Sequence, residues 1–538
     1  MIETRLARSH RTPLGPPDAL LLLAACLLVL VHAAWFDHTA DDAFITFRYV
    51  DNWIHGRGLV FNSGERVMGY SNFLWVVLLA PFGVAGIPIP TAARLLGAAL
   101  ACATLIHVYR FVRDEYPGRL PAIAALLALV SNGGFALWIF GGLEGHLVTF
   151  LLALAVTRAL RIEASTPRRR FAELGVILGL ASLTRPEAIA YVAPTAAWLL
   201  WRRRDAARCM DVALLCGVAF CFWLGLAAWA WSYYGDALPN TYYAKAHPLS
   251  VALFERGLRM TRKFFSDFLW APAVVVAVWV LAVRGSLRAR GWLPLAVTAT
   301  FLAFFLRIGG DVLVYHRMWL PVLPMLALLL AEAVARMPRP PARVGLVVLV
   351  AALSLPNSFA GPNLRYLRAD DAFLADVQLI AARLRAMPEG TVVAANNVGI
   401  LGYGSGLRVL DMLGLTDSHI ARAPDKRIGI AAHESHDGAY VIAARPDLIV
   451  LGMPRAVVTP NPERDHAASG YPSDRDLIES PTFHSDYAPR YLELADRRLF
   501  PVFARRDSDV VEVTRGTRAD AADAMRASIP STVVAGID

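Results

Sequence analysis

The stretch "DDAFITFRYVDNWIHGRGLVFNSGERVMGYSNFLW" opens on two adjacent acids, Asp41 and Asp42, a few residues past an apolar run that ends near residue 36. A carboxylate so placed can take the proton of a hydroxyl as that hydroxyl attacks a carbon centre. Ionisable groups at a membrane boundary are functional candidates by default. Two plainer roles compete: one acid caps the helix of "AFITFRYVDNWIHG", or both are simply solvated. The residue types leave open which of the pair acts. If the leaving group is a phosphate, arginine is its natural partner, because a guanidinium pairs with phosphate oxygens bidentately. The candidates are Arg317 and Arg94, each at the start of an apolar block, then Arg185 and Arg48. Each also reads as an interface anchor. "GGLEGH" adds Glu144 and His146. "TRPEA" adds Glu187 beside Arg185. "GGDVLVYHR" adds Asp311, Tyr315 and His316 behind two glycines that permit a tight turn. Tyr70 belongs to a set of aromatics, most of which fit a membrane-interface belt and a few of which can stack on sugar rings. A glutamate at a helix start also complements the helix dipole.

These residues need a scaffold, and the composition says which kind. The chain has 538 residues, 56% of them hydrophobic, and a mean hydropathy of +0.45. Long apolar blocks of this kind mean a polytopic α-helical membrane protein. The net charge is +9, but the only lysines are Lys245, Lys263 and Lys426, and much of the arginine sits in short loops between apolar blocks. That pattern is a topology signal rather than a nucleic-acid footprint. Candidate spans run over 18–36, 91–112, 119–138, 143–160, 171–185, 187–201, 209–232, 269–284, 291–307, 316–333 and 343–356. The block 71–88 is ambiguous. Leaving it uncrossed puts "RFVRDEYPGR", "RIEASTPRRR", "WRRRDAAR", "RGSLRAR" and "RMPRPPAR" all on the side of the basic N-terminus, so 71–88 reads as a helix lying on the outer surface. About eleven spans result, with the N-terminus inside and the C-terminus outside. The loop 37–70, "FGGLEGH", "TRPE", "RIGGDVLVYHR" and the tail then share the outer face.

The expected domains are a membrane domain over 1–356 with a catalytic loop at 37–90, an α/β domain over 357–520, and a disordered tail over 521–538. Runs such as "GTVVAANNVG", "RPDLIVLG", "RLFPVFARR" and "DVVEVTR" read as short strands. The five cysteines lie in or beside apolar blocks without metal or disulfide spacing. No P-loop and no HExxH occurs. "HESH" at 433–436 lacks further ligands, and "LGYGSG" alone is a weak glycine pattern.

With these residues in hand, the chain resembles the C-type membrane glycosyltransferases that use polyprenyl-phosphate sugars, most of all the mycobacterial terminal arabinofuranosyltransferases and their proteobacterial relatives. The resemblance is carried by the opening stretch, "GGLEGH", "TRPEA", "GGDVLVYHRMWLPVLP", "LDMLGLTDSHIAR" and "AHESHDGAYVIAARPDLIV", in that order, over roughly residues 18–455. It implies transfer of a sugar such as arabinofuranose from a lipid-phosphate donor to a cell-envelope glycan or glycoprotein. It implies a multi-pass protein of the bacterial inner membrane with a periplasmic C-terminal domain. It makes Asp41 or Asp42 the catalytic carboxylate. A divalent cation near the donor phosphate is common in the class; the sequence offers no strong ligand set for it, and the metal stays open. Gly145, His146, Ser435 and His436 depart from the family pattern and bear on the acceptor pocket. A lipid-sugar flippase would favour polar residues at mid-membrane and inverted repeats. An O-antigen-type ligase would favour an Arg/His-dominated loop over a double acid.

Overall fold

A computed structural model describes residues 13–510 apart from 203–204, 249, 286, 288, 312, 425, 427–429 and 431–432. The expected disordered tail at 521–538 and most of "DVVEVTR" lie outside the described residues. The chain divides into two units. One comprises the residues up to Leu59, Tyr70–Pro239 and Ala246–Arg368; the other comprises Val60–Gly69, Asn240–Lys245 and the chain from Ala369.

The first unit is helical. Among the described residues six helices are long and apolar enough to cross a membrane, beginning with Pro16–Phe36, Ile89–Glu115 and Ala206–Tyr234. A seventh span results if Val251–Asp267 and Trp270–Val283, bent by 96°, act as one. The protein is therefore a multi-pass membrane protein. The sequence reads eleven spans; of its apolar blocks some are broken and others, such as Gly145–Leu160, form single helices of 16 residues. The block 119–138 breaks at Asn132, whose side chain accepts the Phe135 N–H and starts a separate short helix, Gly133–Leu137. That leaves Leu120–Val130 with 11 residues, a rise of about 16 Å against a hydrocarbon core of about 30 Å. The helix at the ambiguous block, Phe73–Val84, has 12 residues, and its length of about 18 Å is likewise too short to cross.

The second unit is built on a five-stranded mixed sheet: β1 (Val392–Ala395), β2 (Arg408–Asp411), β3 (Leu448–Val450), β4 (Tyr487–Glu493) and β5 (Leu499–Arg505), in the order β2-β1-β3-β5-β4. β1 runs parallel to β2 and β3, while β5 is antiparallel to β3 and β4. Ala394, Ile449 and Phe503 meet Met412, Ile420, Leu477 and Phe483 in the core. The edge strand β2 is closed by a side chain. Asn62 donates to Val409 O at 2.8 Å and accepts the Val409 N–H at 3.1 Å, which occupies groups that an open edge would present to another strand.

At the end of β2 the chain turns on a buried carboxylate. Asp411 is 1% exposed and accepts the N–H groups of Leu413 and Thr416 at 2.9 and 2.7 Å. Gly414 follows at φ 76°, where a Cβ would lie 2.5 Å from Ala421 N. Burial pushes the Asp411 carboxyl up to about 6, its hydrogen bonds opposing the rise. A raised acid binds its proton in the folded state before the unfolded chain does. Its contribution is thus full below about pH 4 and is lost as pH rises through about 6. Thermal melting of the full-length protein in detergent is expected to show this unit weakening over that window by about 2–3 kcal/mol. Asp411→Asn should flatten that slope.

Candidate functional site

The site belongs to the helical unit. Asp41 and Asp42 are the first two residues of the helix Asp41–Ile54, and the N-cap is Ala40. Neither acid is the cap. Both stand in the first turn, where the helix dipole favours negative charge. The start of this helix is fixed against the segment "FGGLEG". Ala40 N donates to Gly141 O at 3.2 Å, and Thr39 donates to Phe140 O at 3.1 Å. Gly142, at φ 81°, makes the approach possible, since a Cβ there would fall 2.8 Å from that of Ala43. Trp75 Nε1 donates to Gly142 O at 3.0 Å and ties Phe73–Val84 to the same point.

Two residues beyond Gly142 stands Glu144, the N-cap residue of Gly145–Leu160, buried at 4% exposure. Its Oε2 accepts from Asn72 Nδ2 at 2.8 Å, and Asn72 is paired in turn with Thr46 at 3.1 Å. Its Oε1 accepts from Arg185 Nη1 at 3.1 Å. Arg185 ends the helix Arg169–Thr184 in extended backbone, the conformation that the following Pro186 favours. From there its Nε also donates to Glu187 Oε1 at 2.7 Å. One guanidinium thus bridges two carboxylates, which offsets much of the cost of burying all three charges.

Arg317 supplies the second cation. Its Nη1 lies 3.8 Å from Asp42 Oδ2 and its Nε 3.4 Å from Asp311 Oδ2. Trp138 lies under the guanidinium at 5.9 Å. Arg317 follows a corner in which Tyr315 and His316 both hold left-handed backbone, at φ/ψ 52°/30° and 57°/51°. Non-glycine residues held there cost on the order of 1–3 kcal/mol each and cluster at functional sites.

Glu144, Arg185, Glu187 and Arg317 line one cavity, together with Tyr191 and with Val148, Ala188, Phe301 and Phe304 among its apolar walls. Of the residues named from the sequence, the structure brings together Asp42, Glu144, Arg185, Glu187, Asp311 and Arg317. Asp41 shares the helix turn of Asp42. His316 lies beside Arg317 in the chain but turns to Asp267, Nε2 to Oδ2 at 2.7 Å.

Others go elsewhere. Arg94 is paired with Asp37 and lies 4.5 Å over the ring of Phe140, outside the residues that line the cavity. Arg48 is buried on the core side of its helix. Tyr70 is buried against Tyr49 and shares a hydroxyl contact with Tyr234 at 3.2 Å. His146 is 1% exposed, and its Nε2 meets Phe135 O at 3.0 Å. The Tyr315 hydroxyl donates to Asn357 O at 2.9 Å. The sequence reading missed Asn72, Thr46, Tyr191 and Asp267. Asn72 stands inside the opening stretch as "YSN", where its position before an apolar helix reads as a cap; it makes no side-chain cap bond and serves Glu144 instead.

Among the described residues no three His, Cys, Asp or Glu side chains gather in a way that could hold a metal ion. Between Glu144 and Glu187 the Arg185 guanidinium occupies the place a cation would take.

In fold the chain is similar to an archaeal oligosaccharyltransferase: the enzyme of Archaeoglobus fulgidus superposes with a TM-score of 0.53 at 10% identity, over 91% of this chain and 74% of that one. In sequence the chain is related to the terminal β-(1→2)-arabinofuranosyltransferase of Mycobacterium tuberculosis, 28% identical over 259 residues, which is 44% of this chain and 39% of that protein. The match thus spans well under half of the relative's length. ArnT from Cupriavidus metallidurans superposes with a TM-score of 0.45 at 15% identity, over 75% of this chain and 76% of that one. Residues 369–510 match the family described as "Domain of unknown function (DUF8728)".

Proposed function

We propose that the protein is a glycosyltransferase that moves a sugar, arabinofuranose, from a polyprenyl-phosphate donor to a cell-envelope glycan or glycoprotein. The reaction takes place at the periplasmic face of the bacterial inner membrane, and the α/β domain lies on that side. The observation that carries this reading is the cavity in which two guanidinium groups and an apolar wall lie beside the acid-bearing helix start. Its sugar rests on the relation to the mycobacterial arabinofuranosyltransferase. Its donor class is in keeping with the archaeal fold relative, whose structure includes a dolichol-phosphate and an inhibitory peptide.

In this reading Asp42 accepts the acceptor's hydroxyl proton while that oxygen bonds to the anomeric carbon. The bond from that carbon to the phosphate oxygen breaks, and the polyprenyl phosphate leaves with the electron pair. Arg317 meets the charge that develops on the phosphate. Arg185 keeps its charge in the cavity because Glu144 and Glu187 hold it there.

The test uses purified protein in nanodiscs, given a polyprenyl-phosphate arabinofuranose and an arabinan acceptor. Release of polyprenyl phosphate with growth of the acceptor is expected. Arg317→Ala should weaken donor binding about 10- to 100-fold, as loss of a charge-assisted contact implies, and leave acceptor binding unchanged. Unaltered donor affinity in a titration removes the phosphate assignment. Turnover only with a hexose donor replaces the sugar.

A further inference from the structure

The corner at Tyr315–His316 lies just before the residue that the cavity needs. Two consecutive left-handed residues with full side chains do not persist unless the surroundings hold them, and here the holding groups are visible. His316 Nε2 meets Asp267 Oδ2 at 2.7 Å. Asp267 also accepts from Lys263 Nζ at 2.7 Å. That ammonium donates again to Asn363 Oδ1 at 2.6 Å, and the Asn363 amide reaches Asn357 Oδ1 at 3.3 Å. Asn357 accepts the Tyr315 hydroxyl through its carbonyl at 2.9 Å. The two strained residues are thus tied at both ends of one chain of hydrogen bonds, which runs through the helix Val251–Asp267 and residues 357–363. The rings of Phe264 and Phe268 close on His316 at 5.5 and 5.7 Å. Two further bonds fix the approach to the corner. Trp138 Nε1 donates to Val314 O at 3.0 Å, and Arg256 Nε donates to Gly309 O at 2.9 Å.

None of these groups lines the cavity; the next residue, Arg317, does. Its 11% side-chain exposure and its places 3.8 Å from Asp42 and 3.4 Å from Asp311 require the chain to turn at 315–316. We propose that His316 is a positioning residue: tied to Asp267, and through it to Lys263 and Asn363, it keeps the left-handed corner closed so that Arg317 is held beside Asp42. This deepens the glycosyltransferase reading and rests on it, since it assigns His316 to the placement of the phosphate-binding arginine rather than to contact with sugar or acceptor.

Glycine tolerates the left-handed region without strain but does not enforce it. His316→Gly therefore removes the tether without forbidding the corner. Radiolabelled undecaprenyl phosphate is titrated into the full-length protein in nanodiscs. The variant is expected to keep the wild-type melting midpoint, to bind the lipid phosphate about tenfold more weakly, and to raise the donor KM with the acceptor KM unchanged. Arg317→Ala should weaken binding in the wild-type background and cost clearly less in the His316→Gly background, because contacting residues that act as a unit are not additive. Asp267→Asn, which keeps a neutral partner for His316, should fall between wild type and His316→Gly. It is scored by the same coupling if the glycine variant does not fold. Wild-type affinity in His316→Gly or in Asp267→Asn, alongside a loss in Arg317→Ala, overturns the positioning role and leaves the donor site standing. Full additivity does the same. Wild-type affinity in Arg317→Ala overturns the donor reading itself.

Discussion

Asp42→Asn is expected to leave the protein folded and in the membrane while cutting sugar transfer by about 10²- to 10⁴-fold, the range a positioned general base supplies. Asparagine has the shape of aspartate and cannot take the acceptor's proton. Asp42 faces Arg317 at 3.8 Å and keeps 36% of its side chain exposed, so it is both next to the cation and within reach of an incoming hydroxyl. Asp41→Asn should cost less, because its neighbour keeps the proton-accepting role. Both acids stand in a first helical turn capped by Ala40, so neither substitution removes a cap. Transfer assayed in membranes normalised for protein level decides it. Normal transfer in both variants would sink the assignment.

Much of this site was legible in the sequence because it depends on residue type and on order along the chain. Two acids behind an apolar run, "GLEG", "TRPE" and "GGDVLVYHR" gave five of the groups that meet around the cavity and Asp42 with them. What stayed hidden depends on direction. Lys263 and Asp267 are four apart on a helix and read as an ordinary surface pair, yet Asp267 spends its second contact on His316. Arg94 stands near the beginning of an apolar block much as Arg317 does, and nothing in the sequence says that it turns to Asp37. The left-handed corner at 315–316 has only a weak sequence signature, since neither residue is glycine or asparagine and only the histidine belongs to the types enriched there. The same limit applies to the scaffold. Apolar content marked the blocks, but not that Asn132 would interrupt one of them or that Val251–Asp267 would meet Trp270–Val283 at 96°. In the second unit the runs that became β1, β3 and β5 were readable from β-branched and aromatic residues. The joining of Asn62 to β2, across 347 residues of chain, was not.

The largest effect on stability is expected from Glu144→Ala. The glutamate serves two partners from a nearly buried position, Asn72 through one oxygen and Arg185 through the other. Alanine leaves the Asn72 amide without that acceptor and leaves Arg185 compensated by Glu187 alone. Removing one member of a buried ion pair costs about 3–5 kcal/mol. Here the lower end applies, because the Arg185 side chain is 20% exposed at the cavity and Glu187 is 24% exposed, so water can answer part of the orphaned charge. The melting midpoint of the purified protein should fall by several degrees at a cost of that size. Glu144→Gln should fall less, since its carbonyl can still accept from Asn72 or Arg185. Activity separates this structural role from a chemical one. If Glu144 acts only by holding Arg185, the rate per folded molecule at subsaturating donor drops in both variants in proportion to the loss of donor affinity, and kcat at saturating donor stays near wild type. A fall in kcat at saturating donor, in the glutamine variant that keeps the fold, would instead place Glu144 among the groups that touch the reacting atoms.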